Sequence, residues 1–436
     1  MKWSRYNIIF KMHMGDEVLL YNTLSNVLLK LGKNDAESLM KIKSGKISVD
    51  SLEEQTKKAL VDNKILISND DIELAKFKLL KQYNRMDDSV LALTIAPTLA
   101  CNLHCAYCFE QQHPSVFMND DVENDIISFI KGHVNAKYVH VTWFGGEPLL
   151  YFKRIVSLTK KIKSIQGIEK YEAGIITNGV NMNEKIASSL RELNINTVHV
   201  TIDGLDSANN ERRIGLNHED TFAKIVRGLD LLAKDDNISK TVRVNTDKTN
   251  SEQFVKVYDF VRKRYCGLNF NVYVGFIKDS YGCGNSCVGC LNNTEQGKFL
   301  IKSYKKLGVP TETLLPPRYN YECIARLKNG YLIGPKGDLY KCWTDLGNLS
   351  MCLGYINDLD NISIDLLSEY MVGNDPFCDS ECMKCVLFPI CGGGCPHSRI
   401  MNQFHGAKND NCCFAKENIE EFIETYYHLQ QSINNF

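Results

Sequence analysis

The chain of 436 residues lacks the features that mark membrane and secreted proteins. Its apolar runs fall far short of the ~20 consecutive residues that a membrane-spanning helix needs. Its first residues, Met1–Phe10, contain no apolar stretch followed by small residues, so no secretory signal is expected. These absences predict a cytoplasmic protein with no membrane partner.

The chain also lacks a surplus of charge of either sign. It has 51 Lys and Arg against 52 Asp and Glu, for a net charge of −1. Proteins that bind nucleic acid or anionic membranes usually carry a basic surplus, so no such partner is expected. An apolar content of 44% and a charged content of 24% are ordinary for a globular protein. The length allows two or three domains.

Residues 1–86 contain no cysteine, although the whole chain has 17, so this segment is predicted to be a separate domain. Short apolar strands flank Gly15-Asp16, which is a hairpin signal. Ser51 and Glu54 have the spacing of a helix capping box. The predicted strands lie at 6–10, 18–21 and 25–31, and the predicted helices at 35–43, 51–63 and 71–83.

Three short strands and three helices of this kind predict a winged-helix-like unit. Such a unit can bind DNA, but no predicted helix carries the cluster of Arg or Lys that supports DNA binding. It can also bind a peptide that pairs, as a guest strand, with the exposed edge of the hairpin. We therefore expect a peptide-recognition domain at 1–86.

Residues 87–310 alternate regularly between strands and helices, which predicts an α/β fold with a parallel sheet and helices outside it. Six units are two fewer than the eight that close a full barrel. We expect an open, partial (β/α)6 TIM-like barrel that admits a large substrate from the side. The predicted strands are 90–97, 138–144, 172–177, 197–203, 240–246 and 269–277.

Cysteine is unusually abundant after residue 86. Disulfides are not expected for these residues, because the cytosol keeps thiols reduced. Many of the cysteines are spaced as C-x2-C or C-x3-C, which is typical of metal or cluster ligands. Several oxygen-labile clusters in one chain would suit a cytoplasm poor in oxygen.

Cys101, Cys105 and Cys108 follow the first predicted barrel strand as C-x3-C-x2-C. They lie on the loop at the carboxyl end of that strand, where α/β enzymes place their chemistry. Three thiolates can hold three irons of a [4Fe–4S] cluster and leave the fourth iron free to bind a small molecule. The alternative at this point is a zinc site completed by His104 or His113.

The ends of the following strands carry glycine and polar residues. Two glycines allow a backbone to approach a ligand closely, and the carboxylate after them can pair with an ammonium group. Together these strand ends predict a binding site for a zwitterionic ligand. The segments are Gly145-Gly146-Glu147-Pro148, Thr177-Asn178-Gly179, Asp203-Gly204 with Arg212-Arg213 after it, and Asn245-Thr246-Asp247.

On the C-x3-C-x-Tyr-C motif, the Gly-Gly-Glu-Pro segment and the partial barrel, residues 90 to 280 resemble the radical S-adenosylmethionine (SAM) enzymes. The resemblance implies that the amino and carboxylate groups of SAM chelate the open iron. One electron then cleaves the 5′ carbon–sulfur bond and yields a 5′-deoxyadenosyl radical. The protein positions and shields this chemistry.

The same resemblance implies a role for each matching residue. The cluster ligands would be Cys101, Cys105 and Cys108, and the methionine ammonium would be bound by Gly145, Gly146 and Glu147. Tyr107 and Phe109 would pack beside the adenine. Contacts to the ribose and the carboxylate would come from Asn178, Asp203 and Arg213.

The cysteines at 311–436 resemble the SPASM extension, which carries two auxiliary [4Fe–4S] clusters, so three clusters are expected in all. The alternative is a pair of zinc knuckles. The resemblance implies an inner cluster on Cys323, Cys342 and Cys395, where Gly337 completes a C-x13-G-x4-C motif. The outer cluster would be bound by Cys382, Cys385, Cys391 and one of Cys412 and Cys413.

The remaining cysteines have no settled role in the sequence. Cys266 is expected to be a small buried apolar residue. The others could complete the inner cluster, bind a metal or stay free; they are Cys283, Cys287, Cys290, Cys352 and Cys378.

Radical SAM enzymes with SPASM extensions typically modify peptides or proteins. In those that mature sulfatases, the second cysteine of the inner-cluster motif is followed by an Asp that serves as base. Here Cys342 is followed by Trp343, although Asp345 is near. The resemblance therefore favours the maturases of ribosomally made peptides, many of which begin with a winged-helix domain that recognises a leader peptide.

We predict an oxidoreductase that abstracts hydrogen from a precursor peptide bearing a leader, and installs a thioether or another cross-link. Its second partner would be an electron donor such as flavodoxin or ferredoxin. A formylglycine-forming sulfatase maturase and a peptide epimerase remain alternatives. The alternative from another class is a winged-helix regulator with an iron–sulfur or zinc sensor.

Overall fold

The computed structural model describes residues 1–13, 15–108, 110, 114–278, 289–309, 315 and 322–434. Its N-terminal part holds a three-stranded antiparallel sheet, a two-stranded ribbon and three helices. The strands are β1 (Lys2–Trp3), β2 (Asn7–Lys11), β3 (Val18–Asn22), β4 (Val27–Leu31) and β5 (Leu66–Ile67). The helices are α1 (Lys33–Lys43), α2 (Glu54–Asp62) and α3 (Asp70–Met86).

The small sheet has the order β2-β3-β4, so among the described residues β4 pairs on one side only. Side chains alternate between its two faces, as the pleat requires. Leu20 packs with Leu39 of α1 on one face. Tyr21 packs with Leu387 and Ile423 on the other face, so the N-terminal unit rests on the cysteine-rich C-terminal part.

The predicted capping box of Ser51 and Glu54 is wrong. Helix α2 begins at Glu54 without a side-chain cap. The Ser51 hydroxyl instead donates to Ser48 O at 2.7 Å, within a short 3₁₀ turn at Val49–Ser51. Ser48 is the residue that caps this turn, because its Oγ accepts from Asp50 N at 3.2 Å. The hydroxyl of Ser51 is thus engaged in the 3₁₀ turn and does not cap α2.

The middle of the chain forms the predicted parallel sheet. Its six parallel strands are neighbours in chain order, and the prediction of an α/β partial barrel is confirmed. The six strands of the sheet are β6 (Val90–Ile95), β8 (Tyr138–Trp143), β9 (Lys170–Thr177), β10 (Ile195–Thr201), β12 (Ser239–Thr246) and β13 (Phe270–Phe276). Two further strands, β7 (Leu103–Cys105) and β11 (Arg213–Gly215), pair with each other in a separate ribbon.

Helices cover the outside of this sheet and bury its apolar residues in one large core. They are α4 (Asp120–Gly132), α5 (Phe152–Lys163), α6 (Glu184–Ser189), α7 (Ser207–Asn210), α8 (Thr221–Leu232), α9 (Gln253–Arg264) and α10 (Asn293–Leu307).

The sheet continues beyond β6 with three strands that the sequence did not predict. These are β14 (Gly330–Ile333), β15 (Asp338–Tyr340) and β16 (Gly354–Tyr355). Strand β14 pairs in parallel with β6, and the other two follow in antiparallel order. The cysteine-rich part is therefore joined to the barrel sheet through backbone hydrogen bonds, and Trp343, which follows β15, contacts Thr94 of the first barrel strand.

The C-terminal part is otherwise built from short helices. They are α11 (Ile364–Ser368), α12 (Ser380–Lys384), α13 (Phe388–Cys391), α14 (Pro396–Phe404) and α15 (Ile419–Asn434). Helix α15 buries Phe422 and Ile423 against the body of the protein, as its apolar periodicity predicts. Among the described residues, no helix has the length and apolar character to cross a membrane.

Candidate functional site

A cavity of about 440 Å³ opens at the carboxyl ends of the barrel strands. Its wall is built from the loop after β6 and the ends of β8, β9, β10, β12 and β13, together with the segment that follows β15. This placement follows from topology, because parallel strands in one sheet bring all their carboxyl ends to the same edge.

The thiols of Cys101, Cys105 and Cys108 all line this cavity. Cys108 N donates to Cys105 O at 3.0 Å, which turns the loop back on itself. The pKa of Cys101 and of Cys108 is raised to about 12, mainly by burial; the charges of Glu147 and Glu110, respectively, and then the neighbouring thiols contribute to this rise. Such thiols are protonated near neutral pH unless a metal centre displaces the protons. They suit cluster ligands and do not suit free nucleophiles.

The zinc alternative is not supported by the placement of histidine. His104 is exposed and lies next to Cys105 on β7, where adjacent side chains point to opposite faces. His113 lies outside the described residues. Within the part of the chain that the structure describes, no three His, Cys, Asp or Glu side chains are arranged as a finished metal site. Among the described residues, the cysteine triplet therefore shares a loop and a cavity without a fourth protein ligand.

Gly145 and Gly146 hold the cysteine loop against the end of β8. A Cβ on Gly145, which has φ of +115°, would overlap Thr98 O, and one on Gly146 would overlap Leu99 O. Gly146 N donates to Thr98 O at 3.2 Å. Both glycines also line the cavity. The need for glycine thus arises first from the close approach of two backbones, and the predicted ligand contact at this position remains a prediction.

The side chain of Glu147 is held inside the protein by hydrogen bonds. Its side chain is fully buried and does not line the cavity. The carboxylate accepts hydrogen bonds from Thr177 Oγ1 (2.7 Å), Asn178 N (2.7 Å) and Leu149 N (2.9 Å). Burial raises its pKa, which these hydrogen bonds oppose. The carboxylate thereby fixes the end of β9, and its predicted contact with the ammonium group of SAM remains a prediction.

Asn178 connects the end of β9 to the cysteine loop. Its Nδ2 donates to Asn102 Oδ1 at 2.7 Å and lies 3.8 Å from Cys101 Sγ. Asn178 lines the cavity, so it remains a candidate for a direct contact with a ligand. Glu147, which accepts a hydrogen bond from Asn178 N, thereby fixes the position of Asn178 on the cavity wall.

The hydroxyl of Tyr107 is the centre of a buried polar network. It donates to the Asp203 carboxylate, and it accepts from Arg213 Nη1 at 2.7 Å and from Asn245 Nδ2 at 3.1 Å. Arg212 lies over the Tyr107 ring at 5.3 Å. Burial raises the pKa of Tyr107, so its phenol stays neutral.

Asp203 belongs to this network. It is fully buried and absent from the cavity wall, and it holds Tyr107 and Arg213; its predicted contact with the ribose or the carboxylate of SAM remains a prediction. Arg213 does line the cavity, opposite Cys105 in the β7–β11 ribbon. Phe109 lies outside the described residues, and its predicted contact with adenine remains a prediction.

The cysteines predicted for the inner cluster lie close together. Burial raises the pKa of Cys342, and Asp345, Cys323 and Cys395 raise it further. Cys395 also raises the pKa of Cys323. The thiols therefore interact electrostatically although they are far apart in sequence.

The cysteines predicted for the outer cluster form a second group. A hydrogen bond from Cys413 lowers the pKa of Cys391 to about 6, and Cys391 and Cys412 both raise the pKa of Cys385. Cys382 contacts Arg399 Nη1, 3.6 Å from its sulfur. Both Cys412 and Cys413 lie in this group, so the choice between them stays open.

Among the other cysteines, the prediction for Cys266 is wrong, because this residue is exposed at the end of α9 and is not buried. Cys378 is also exposed, and Cys352 Sγ donates to Gly354 O at 3.2 Å. Cys283 and Cys287 lie outside the described residues, so the role of that triplet remains unassigned.

Several cavity residues were not predicted from the sequence, among them Phe144, Trp343 and Arg243. Phe144 and Trp343 stack at 5.5 Å between ring centroids. Trp343 is brought there by the unpredicted pairing of β14 with β6. Arg243 had one local signal: it stands two residues before Asn245 on the same face of a strand.

Residues 95–261 match the family model described as Radical SAM superfamily. This superfamily uses a [4Fe–4S] cluster and SAM, and the predictions of the family, of an enzyme and of these cofactors are confirmed. The number of clusters remains a prediction.

Curated relatives cover the chain to different extents. The cysteine-type anaerobic sulfatase-maturating enzyme of Clostridium novyi (strain NT) is 23% identical over 77% of this chain and 94% of its own length. A GTP 3′,8-cyclase of Clostridium perfringens (strain SM101) is 29% identical, but the match covers 41% of this chain and 54% of that enzyme. The chain thus spans about half the length of the cyclase.

Solved structures share the fold. The structure described as native anSMEcpe with bound AdoMet and Cp18Cys peptide aligns with a TM-score of 0.60 and 21% identity, over 80% of this chain and 99% of that one. The structure of Streptococcus suis SuiB bound to precursor peptide SuiA aligns with a TM-score of 0.52 and 16% identity, over 94% of this chain and 99% of that one. At such identities the likeness establishes the fold alone.

Proposed function

We propose that this chain, which carries a radical SAM domain, is a peptide maturase that abstracts hydrogen from a ribosomally made precursor and installs a thioether or another cross-link. The observation that carries this proposal is the joint placement of Cys101, Cys105 and Cys108 in one open cavity at the carboxyl edge of the barrel. When bound, the cluster and SAM supply the radical that removes hydrogen from the substrate.

The residues of the chain would hold and shield this chemistry. The three thiols would bind the cluster, and Asn178 and Arg213 stand on the wall beside them for the polar groups of SAM. The stacked rings of Phe144 and Trp343 form an apolar part of the wall that excludes water from a radical intermediate on the substrate.

A peptide substrate is supported by the N-terminal unit. Strand β4 (Val27–Leu31) is one of the two edge strands of its sheet among the described residues, and its apolar side chains are half-buried. A leader peptide could pair with this edge as a further strand, with backbone hydrogen bonds giving affinity. The solved relatives SuiB and anSMEcpe have structures with bound peptides, SuiA and Cp18Cys.

We propose three functional domains with the predicted limits: leader recognition at 1–86, the radical SAM barrel at 87–310 and the SPASM domain at 311–436. The two cysteine groups of the last domain would hold auxiliary [4Fe–4S] clusters. A cross-link removes two electrons from the peptide. One would leave with the hydrogen atom that the radical takes, and these clusters would accept the other as a proton is released. Flavodoxin or ferredoxin would supply the electron that starts each cycle.

Sulfatase maturation is the second candidate, since several relatives carry that activity. The position of Asp345 argues against it. This carboxylate is fully buried, lies 3.0 Å from His397 Nε2 and accepts from the Tyr370 hydroxyl. Trp343 and Thr344 occupy the cavity wall instead. Asp345 is therefore turned away from the place where a base would meet the substrate.

The proposal is tested with anaerobically reconstituted protein, SAM and dithionite. We expect release of 5′-deoxyadenosine, which a pure sensor would not give. Precursor peptides encoded beside the gene are then supplied as substrates. Loss of a hydrogen pair from the peptide mass supports cross-linking, unchanged mass with an inverted residue indicates an epimerase, and conversion of a sulfatase peptide to formylglycine indicates the second candidate.

A further inference from the structure

Among the residues that the structure describes, the guanidinium group that Arg243 places in the barrel cavity has no ion-pair partner. Among the described residues, no carboxylate lies within salt-bridge distance of it, and its buried Nε has no hydrogen-bond partner. The two other arginines near the site differ, because Arg213 pairs with Asp203 at 3.7 Å and Arg212 with Asp247 at 2.9 Å. A guanidinium partly removed from water and left unpaired costs stability, so its retention in the cavity calls for a ligand.

The position of Arg243 is set by the middle of β12. It is the register partner of Thr201 on β10 and of Tyr273 on β13. It lies two residues before Asn245, on the face that lines the cavity. Asn245 donates to Tyr107 near the cysteine loop. Arg243 precedes Asn245 on β12, so it lies deeper inside the barrel, farther from the carboxyl ends of the strands.

The neighbouring strand is shaped around this side chain. Gly275 lies on β13, and a Cβ at this position would overlap Arg243 Nε and lie 2.8 Å from its Cζ. Glycine weakens a strand interior and often marks a close approach. Tyr273 supports the guanidinium from the side, with 6.0 Å between Cζ and the ring centroid. The site is therefore built for an arginine that reaches across β13 into the cavity.

The other ionisable groups nearby do not neutralise Arg243. Burial lowers the pKa of His199, and the charge of Arg243 lowers it further, so this imidazole is neutral near pH 7. Lys278 adds a further cationic side chain to the wall, beside Arg243 and Arg213. Glu110 also lines the cavity, but it is not an ion-pair partner of Arg243. The wall around Arg243 thus attracts an anion.

We propose that Arg243 binds a carboxylate of the peptide substrate, from an Asp or Glu side chain or from a C-terminus, and thereby selects the residue that is presented to the radical. The inference rests on the proposed function. A planar guanidinium binds carboxylates through two parallel hydrogen bonds, which fixes orientation as well as position. Arg213, beside Cys105, stands nearer the place where SAM would chelate iron, which leaves Arg243 for the second ligand.

The experiment uses reconstituted full-length protein with SAM bound, and short capped peptides as probes. N-acetyl-Gly-Asp-Gly-amide and N-acetyl-Gly-Glu-Gly-amide are compared with their Asn and Gln counterparts, and N-acetyl-triglycine with its amide. Saturation-transfer NMR and calorimetry measure binding. We expect about tenfold tighter binding of an acidic probe, the size of one charge-assisted pair. The two probe series distinguish a side-chain carboxylate from a C-terminal one.

Two variants test the residue. Arg243→Gln removes the charge, and Gly275→Ala keeps the charge but displaces the side chain; both should abolish the preference for acidic probes while SAM affinity is retained. Arg227→Gln is the matched control, because Arg227 is exposed on α8. Its preference should be unchanged.

Equal or absent binding of acidic and neutral probes to wild-type protein that binds and cleaves SAM would overturn the inference and leave the proposed function standing. Loss of SAM affinity in Arg243→Gln, with the control normal, would also overturn it and assign the guanidinium to the carboxylate of SAM. Failure of wild-type protein to take up iron or bind SAM would instead contradict the proposed function.

Discussion

The indole Nε1 of Trp343 donates a hydrogen bond to Thr94 Oγ1 at 2.8 Å. Thr94 is buried on β6, the first barrel strand. Trp343 directly follows Cys342, the second cysteine of the C-x13-G-x4-C motif in the C-terminal part. The bond therefore ties the cysteine-rich part to the barrel at the cavity wall, where Trp343 also stacks on Phe144.

Replacing Trp343 with Phe should keep the stacking and leave the Thr94 hydroxyl without its partner. We expect a loss of about 1 kcal/mol in the free energy of unfolding, measured by urea denaturation. Thr94→Val in the same background should cost less than Thr94→Val alone, since the two groups share one bond. Simple additivity of the two changes would contradict the coupling.

Gly146→Ala should disrupt the cysteine loop, because the new Cβ meets backbone atoms of Leu99 and Ala100 that cannot move independently. We expect a destabilisation of about 1–3 kcal/mol and a large loss of iron after reconstitution. Gly132→Ala is the matched control, since nothing lies within 4 Å of a Cβ there. A normal iron content in Gly146→Ala would show that the loop tolerates the shift.

Glu147→Gln distinguishes a positioning residue from a direct ligand. The amide cannot accept all the hydrogen bonds now made by Thr177, Asn178 and Leu149. The protein without SAM should therefore lose about 1–3 kcal/mol of stability, and SAM affinity should fall together with it. If SAM affinity falls while the stability of the free protein is unchanged, the side chain contacts the ligand itself.

The contact of His13 with Glu424 should make docking of the N-terminal unit depend on pH. His13 Nδ1 lies 2.5 Å from Glu424 Oε2, and the hydrogen bond with Glu424 is the main reason that the pKa of His13 is raised. Glu421 and Glu420 raise it further, and His428 also faces Glu424, at 3.7 Å.

A raised pKa in the folded state means that the stabilising contribution of His13 is complete below its ordinary pKa of 6.5 and is lost as pH rises through the raised value. The hydrogen-exchange protection of β2 and α15, relative to the intrinsic amide exchange rate at each pH, should therefore fall across that range in the wild type. His13→Gln should flatten this dependence. An unchanged profile in the variant would assign the pH effect to other groups.

The barrel was predictable because its signals are local. Each strand is an apolar run such as Val90–Ile95 followed by a helical period, and each cysteine motif lies within a few residues. Strand β14 was missed because Gly330–Ile333 is too short to be recognised alone and gains its hydrogen bonds from the distant edge of β6.

The site was predictable to the same extent. The thiol triplet and the glycine pair could be found from spacing, whereas the direction of a side chain could not. Glu147 and Asp203 turn into the protein because buried donors there must be satisfied, and those donors come from other strands. Trp343 reaches the cavity only because β14 pairs with β6, a strand that is distant in sequence.

The central claim is that Cys101, Cys105 and Cys108 bind a [4Fe–4S] cluster in a protein with three such clusters. The most direct measurement is iron and acid-labile sulfide per chain in anaerobically reconstituted protein, beside a variant with all three cysteines changed to Ala. We predict about twelve irons in the wild type and about four fewer in the variant. Zinc with little iron in the wild type, or an iron content unchanged by the substitutions, would contradict the account.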